Sequence, residues 1–140
     1  MYETCRQHGA LIITGHEHSY ERTLLMSDLE HQIVASTNTT YAALLPGQTI
    51  AIVSGLGGNS VRPDNTHFPY CERSLFPKQH SSPDNCGRAG ATTYNLGNGG
   101  RAAALFCVFN PRGQDERRAE CYLKDIAGVV VDQFTLVSYL

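Results

Sequence analysis

No apolar run in this sequence approaches the length of a membrane-spanning helix, and no stretch gathers Lys and Arg into a stripe. The first absence excludes a transmembrane helix. The second, together with a formal net charge of −2, argues against a polyanionic partner. Even the densest basic spot, Arg117-Arg118, is bracketed by Asp115, Glu116 and Glu120. Neither nucleic acid nor a membrane is therefore expected as a partner. Internal repeats and low-complexity segments are also lacking. The opening residues, Met1-Tyr2-Glu3-Thr4-Cys5-Arg6-Gln7-His8, show none of the charged-then-apolar order of a signal peptide. Several enzyme classes drop out in the same way. Without a Gly-x-Ser-x-Gly elbow, a Ser-His-Asp hydrolase has no anchor. Gly55-Leu56-Gly57-Gly58 has neither the spacing nor the Lys-Ser/Thr of a P-loop and does not match the dinucleotide fingerprint, so it reads as a close backbone turn.

What is present is a globular composition, 41% hydrophobic and 17% charged, over 140 residues, which is one domain or part of one. Five cysteines, Cys5, Cys71, Cys86, Cys107 and Cys121, follow no common zinc spacing. Cys71 with Cys86 is the favoured loop staple, and two unpaired thiols are an equal alternative because connectivity cannot be deduced from spacing. Asn38-Thr39-Thr40 is an N-glycosylation sequon, which matters only in an exported protein.

The first nine residues read as the last turns of a helix capped by Gly9. Ala10-Leu11-Ile12-Ile13-Thr14 is a continuous apolar run stopped by Gly15, the pattern of a strand buried on both faces inside a parallel or mixed sheet. Further strands are expected over Thr49–Ser54 and Ala103–Phe109. A hairpin is expected from Ala119 to Val137, turning at Ala127-Gly128, with Ala119, Cys121 and Leu123 facing the core and Glu120, Tyr122 and Lys124 facing water. Residues 57–100, rich in Gly, Pro, Asn and Ser, read as one long loop or insertion. The fold class expected is α/β, mostly strands in this chain.

The chemistry concentrates in Gly15-His16-Glu17-His18-Ser19-Tyr20-Glu21-Arg22, directly after the first strand. In extended backbone, residues two apart project to one side from Cα atoms roughly 6 to 7 Å apart. Two imidazoles so placed can each reach one of two metal ions about 3.5 to 4 Å apart. Gly15 allows a sharp exit from the strand. Histidines two apart are also common as solvated loop residues, so the pair alone decides nothing. His8, His31, His67 and His80 are scattered and read as surface or loop residues.

The whole string resembles the Gly-His-x-His-x-Tyr-Glu-Arg signature of the purple acid phosphatase branch of the calcineurin-like metallophosphoesterases, with every fixed position filled. Ile52-Val53-Ser54-Gly55-Leu56-Gly57-Gly58 and the closing segments Asp125-Ile126-Ala127-Gly128 and Asp132-Gln133-Phe134 also resemble later parts of that family. The resemblance implies a two-sheet sandwich with helices outside (αββα) and hydrolysis of phosphate monoesters at a dinuclear centre of iron with zinc or manganese. It implies that His16 ligates the divalent ion and His18 the other, often ferric, ion. Gly15, Tyr20, Glu21 and Arg22 are then structural residues that brace the loop, and no catalytic residue is assigned. The family's upstream motifs, which carry the remaining ligands and the bridging carboxylate, are not in this sequence. The chain is therefore expected to be a partial domain over residues 1–140, the C-terminal part of a longer protein whose Met1 lies inside a helix, and to be inactive without the missing N-terminal part. The resemblance further implies that the full-length protein is secreted or extracytoplasmic. Two other readings stand beside it. One is a non-catalytic binding module on the same fold. The other is a single-metal protein in which Glu17 or His8 joins His16 and His18.

Overall fold

The computed structural model describes residues 2–16, 18, 20–31, 33–57, 92–94 and 102–139. These residues form one short α-helix, a single 3-10 turn at Pro111–Gly113 and ten strands in several sheets. In order the helix and strands are α1 Tyr2–Gln7, β1 Ile12–Thr14, β2 Tyr20–Arg22, β3 Leu25–Asp28, β4 Ile33–Ser36, β5 Tyr41–Leu44, β6 Ala51–Ser54, β7 Thr92–Tyr94, β8 Ala103–Phe109, β9 Arg118–Asp125 and β10 Val130–Ser138. Among the described residues no helix is long and apolar enough to cross a membrane.

α1 ends as its sequence dictates. Gly9 takes φ 62°, which releases the chain toward β1. Arg6 in the last turn bonds Glu3 in the first and donates from Nη1 to the carbonyls of Ser27 and Gly47, both at 2.8 Å. The helix is thereby tied to the two segments it lies against.

One sheet runs β5-β10-β9-β8. β8, β9 and β10 form an antiparallel meander, and β5 joins the far edge of β10 in parallel. Alternation decides its faces. Ala119, Cys121, Leu123, Phe134 and Leu136 are buried, while Glu120 and Lys124 are exposed. Gly128 turns the β9–β10 hairpin at φ 85°. The Asp125 side chain helps by accepting bonds from the backbone of Ala127 and Val129. On the outer face Phe106 stacks on Tyr122 with centroids 5.3 Å apart.

The second sheet, β1-β6-β2-β7, is built from far-separated pieces. β1 is parallel to β6, while β2 is antiparallel to both β6 and β7. A hairpin, β3–β4, is joined to it through a Met26–Thr49 bridge. The two four-stranded sheets share one core, in which Tyr20 and Ile52 meet Leu123, Phe134 and Leu136. Ala51 turns to the opposite face and packs with Ile12, Met26 and Leu29, with Cys5 of α1 and Val34 alongside.

Three expectations need correction. The first strand is not buried on both faces: β1 is an edge strand, and Ile13 is 56% exposed because no described element covers it. The doubly buried strand is β6, where Ala51 and Ile52 alternate into two different cores. Second, residues 57–100 are not loop throughout, since β7 lies inside them and pairs with β2. Third, β2, β3, β4 and β5 arise in segments where three or four residues are too few to show a period. The Cys71–Cys86 staple, His67 and His80 lie outside the described residues.

Candidate functional site

β1 and β2 flank β6 in their sheet, Thr14 beside Val53 and Tyr20 beside Ser54. The connection between them, of which Gly15, His16 and His18 are described, must therefore start and end on either side of the C-terminal end of β6. The ends of two parallel strands, β1 and β6, meet there, which is where loops of such sheets open into a ligand crevice. His16 is exposed on this crossing and His18 is half-buried. Glu17 lies outside the described residues.

Gly15 starts the crossing, but its φ is not left-handed. A Cβ there would stand 3.4 Å from the Ser54 carbonyl oxygen, an ordinary van der Waals contact. Neither a left-handed backbone nor a lack of space therefore calls for glycine at the start of the crossing.

The far end of the crossing is clamped. Tyr20, fully buried, donates its hydroxyl to Oδ2 of Asp132 on β10 at 2.5 Å. Arg22 donates from Nε to the same oxygen at 2.9 Å and from Nη2 to Oδ1 at 3.0 Å, a two-pronged pair whose side chains are 3% and 6% exposed. Arg22 also donates to the Thr39 carbonyl at 2.8 Å, and its guanidinium lies 4.2 Å from the centre of the Phe134 ring. Burial, reinforced by donation to Asp132, pushes the Tyr20 phenol far above its ordinary range. For Arg22 burial is the largest influence and acts downward, but the bond and charge of Asp132 outweigh it and hold the guanidinium above its usual value. Tyr20 therefore stays a proton donor and Arg22 a cation at any working pH. Neither reaches solvent to act on a bound molecule.

β2 thus fastens the histidine crossing to the opposite sheet. Asp132 was not assigned from the sequence, although its signal was there: a lone carboxylate inside the run Val129-Val130-Val131-Asp132-Gln133-Phe134. A carboxylate in such a run needs a buried cation to offset its desolvation. The sequence offered no comparable signal for Thr39, which contributes only a carbonyl.

Imidazole is a suitable donor for iron or zinc, and neither His16, which is exposed, nor His18, which is half-buried, is sealed in the core. Their number is insufficient. Among the described residues no three His, Cys, Asp or Glu side chains come together to hold a metal ion. His8 precedes β1 and His16 follows it, so His8 is at the opposite end of that strand and does not serve as a third donor. His31 is also elsewhere, in the turn after β3, bonded to Asp28. No family model, curated protein or solved structure matches the chain.

Proposed function

We propose that this chain is the C-terminal part of a metal-dependent phosphoesterase of the two-sheet αββα type that hydrolyses phosphate monoesters, with His16 and His18 each holding one ion of a metal pair. The observation that carries the reading is the placement of the two histidines on a connection crossing the end of β6, next to β2, which the Tyr20–Arg22–Asp132 clamp holds to β10. On this reading the remaining donors come from outside the described residues. A metal pair, iron with zinc or manganese, supplies phosphate polarisation and a bound water of lowered pKa. The chain's own part is to orient the two imidazoles, with β2 held against β10 so that the crossing keeps one shape.

The test is a fusion in which this chain replaces the matching C-terminal part of an active purple acid phosphatase, assayed with a chromogenic phosphomonoester and by elemental analysis. Two metals per fusion and metal-dependent turnover are expected, with turnover falling to background in His16→Ala and in His18→Ala. The chain alone is expected to show no turnover. A folded fusion that binds no more metal than its histidine variants would sink the reading.

A further inference from the structure

We propose that Asn38 carries an N-linked glycan. The inference is independent of the phosphoesterase reading and rests on the segment between β4 and β5. Asn38-Thr39-Thr40 is the only Asn-x-Ser/Thr sequence in the chain with x other than Pro. Residues 37–41, which surround it, are all exposed.

The local geometry uses one end of the Asn38 amide and leaves the other. Its Oδ1 accepts from the Thr40 backbone N–H at 2.9 Å, the Thr40 hydroxyl at 3.2 Å and the Tyr41 backbone N–H at 3.0 Å. This is an Asx turn, in which the side-chain carbonyl replaces a backbone acceptor. Nδ2, the atom that would bear the sugar, takes part in none of these bonds. Three donors on Oδ1 fix the direction of the amide, and a substituent on Nδ2 breaks no bond of the turn. The turn is itself held from below, because the Thr39 carbonyl accepts from the buried Arg22. A glycan here would stand on a rigid, solvent-facing corner and cover no core residue.

A second observation concerns compartment. Cys107 on β8 and Cys121 on β9 face each other in register and are joined in a disulfide, with Cys121 fully buried. Structural disulfides form and persist where the chain meets an oxidising environment, as in the secretory pathway, where lipid-linked oligosaccharide is also met. The reaction would take its sugar from a lipid-pyrophosphate-linked oligosaccharide. The bond formed joins Asn38 Nδ2 to the anomeric carbon. The bond broken is that between this carbon and the pyrophosphate oxygen, which leaves with the electron pair, and Nδ2 loses one proton.

The test is mass spectrometry of the chain isolated from its own source, before and after peptide-N-glycosidase treatment in heavy-oxygen water. The expected result is a glycopeptide containing Asn38 that the enzyme converts to heavy-oxygen-labelled aspartate at that position. An unmodified Asn38 in that material, whether or not Cys107–Cys121 is oxidised, overturns the proposal. Secreted from a eukaryotic cell, the chain should run as a glycosidase-sensitive band. That band should be retained in Thr40→Ser and lost in both Asn38→Gln and Thr40→Ala. Thr40→Ala keeps Asn38 and both backbone donors of its turn, so it separates loss of glycan from loss of folding. A shift that persists in Thr40→Ala and Asn38→Gln overturns the assignment.

Discussion

In the sheet β5-β10-β9-β8, three strands of seven, eight and nine residues follow one another along the chain. In β1-β6-β2-β7 no strand exceeds four residues, and neighbours such as Ile12 and Ala51 are far apart in sequence. The β8-β9-β10 meander of the first sheet closes short loops and sets its own register, and only β5 joins it from far along the chain. The second must close long loops for few backbone bonds each, which costs more chain entropy per contact. It therefore relies on side chains: Asp132 on Tyr20 and Arg22, the Thr23 hydroxyl accepting from the Ala51 N–H, and the Thr49 hydroxyl donating to the Ala10 carbonyl. The candidate metal-binding histidines belong to this second sheet, so their placement depends on the first.

The comparison breaks most severely at Asp132. Asp132→Ala leaves the Arg22 cation buried without its carboxylate and is expected to cost about 3–5 kcal/mol in denaturant unfolding. The double change Asp132→Leu with Arg22→Met should recover much of that loss, because no uncompensated charge remains. A loss below ~1 kcal/mol in the single variant would show that the sheets do not depend on this clamp.

The disulfide offers a matched perturbation within the longer-stranded sheet. Cys107 and Cys121 are 14 apart in sequence. Replacing both by Ala should lower stability by about 3 kcal/mol by the chain-entropy account, with the β8–β9 register retained. Amide exchange distinguishes the two cases. In this variant β1 and β6 should keep their relative protection, whereas in Asp132→Ala they should lose it first.

Tyr20→Phe is a gentler probe of the clamp. It keeps the ring in the core and removes one donor to an aspartate that Arg22 still holds, so a cost of roughly 1–2 kcal/mol is expected. In the fusion described above, the same change should weaken metal binding by His18 roughly 10- to 100-fold if β2 governs the crossing. Unchanged metal affinity would confine Tyr20 to stability.

The smallest effect belongs to an exposed pair outside both large sheets. Asp28 accepts from the His31 ring and raises its pKa, while the His31 backbone N–H and then its ring lower that of Asp28. The His31 contribution is whole below the ordinary histidine value of about 6.5 and fades as pH rises through the raised one. The Asp28 contribution is present above its ordinary value and fades as pH falls through the lowered one. NMR titration should show His31 above the ordinary value in the native chain and returned toward it in Asp28→Asn, with little change in stability.

Legibility followed strand length. The β8 limits expected from sequence, Ala103–Phe109, are those observed, and the hairpin faces were readable because eight or nine residues display several periods of alternation. The Cys107–Cys121 bridge was latent in the same pattern. Once the two strands are antiparallel and Phe109 faces Ala119, Cys107 must face Cys121. The burial of Ile13 was misjudged because an apolar run cannot say whether anything lies on its outer face. The histidine motif was legible as a string of residues, and so was its adjacency to a strand.

The sequence by itself determined the capped helix, the β9–β10 hairpin, the turn at Gly128 and the presence of His16 and His18 directly after an apolar strand. All are set by contacts between near neighbours or by one residue's backbone preference. Only the tertiary structure decided that β6 lies between β1 and β2, that the histidine crossing runs over its end, and that Asp132 holds Tyr20 and Arg22 from another sheet. Those relations join residues as many as 112 positions apart, and no local pattern encodes which partner a buried carboxylate will find.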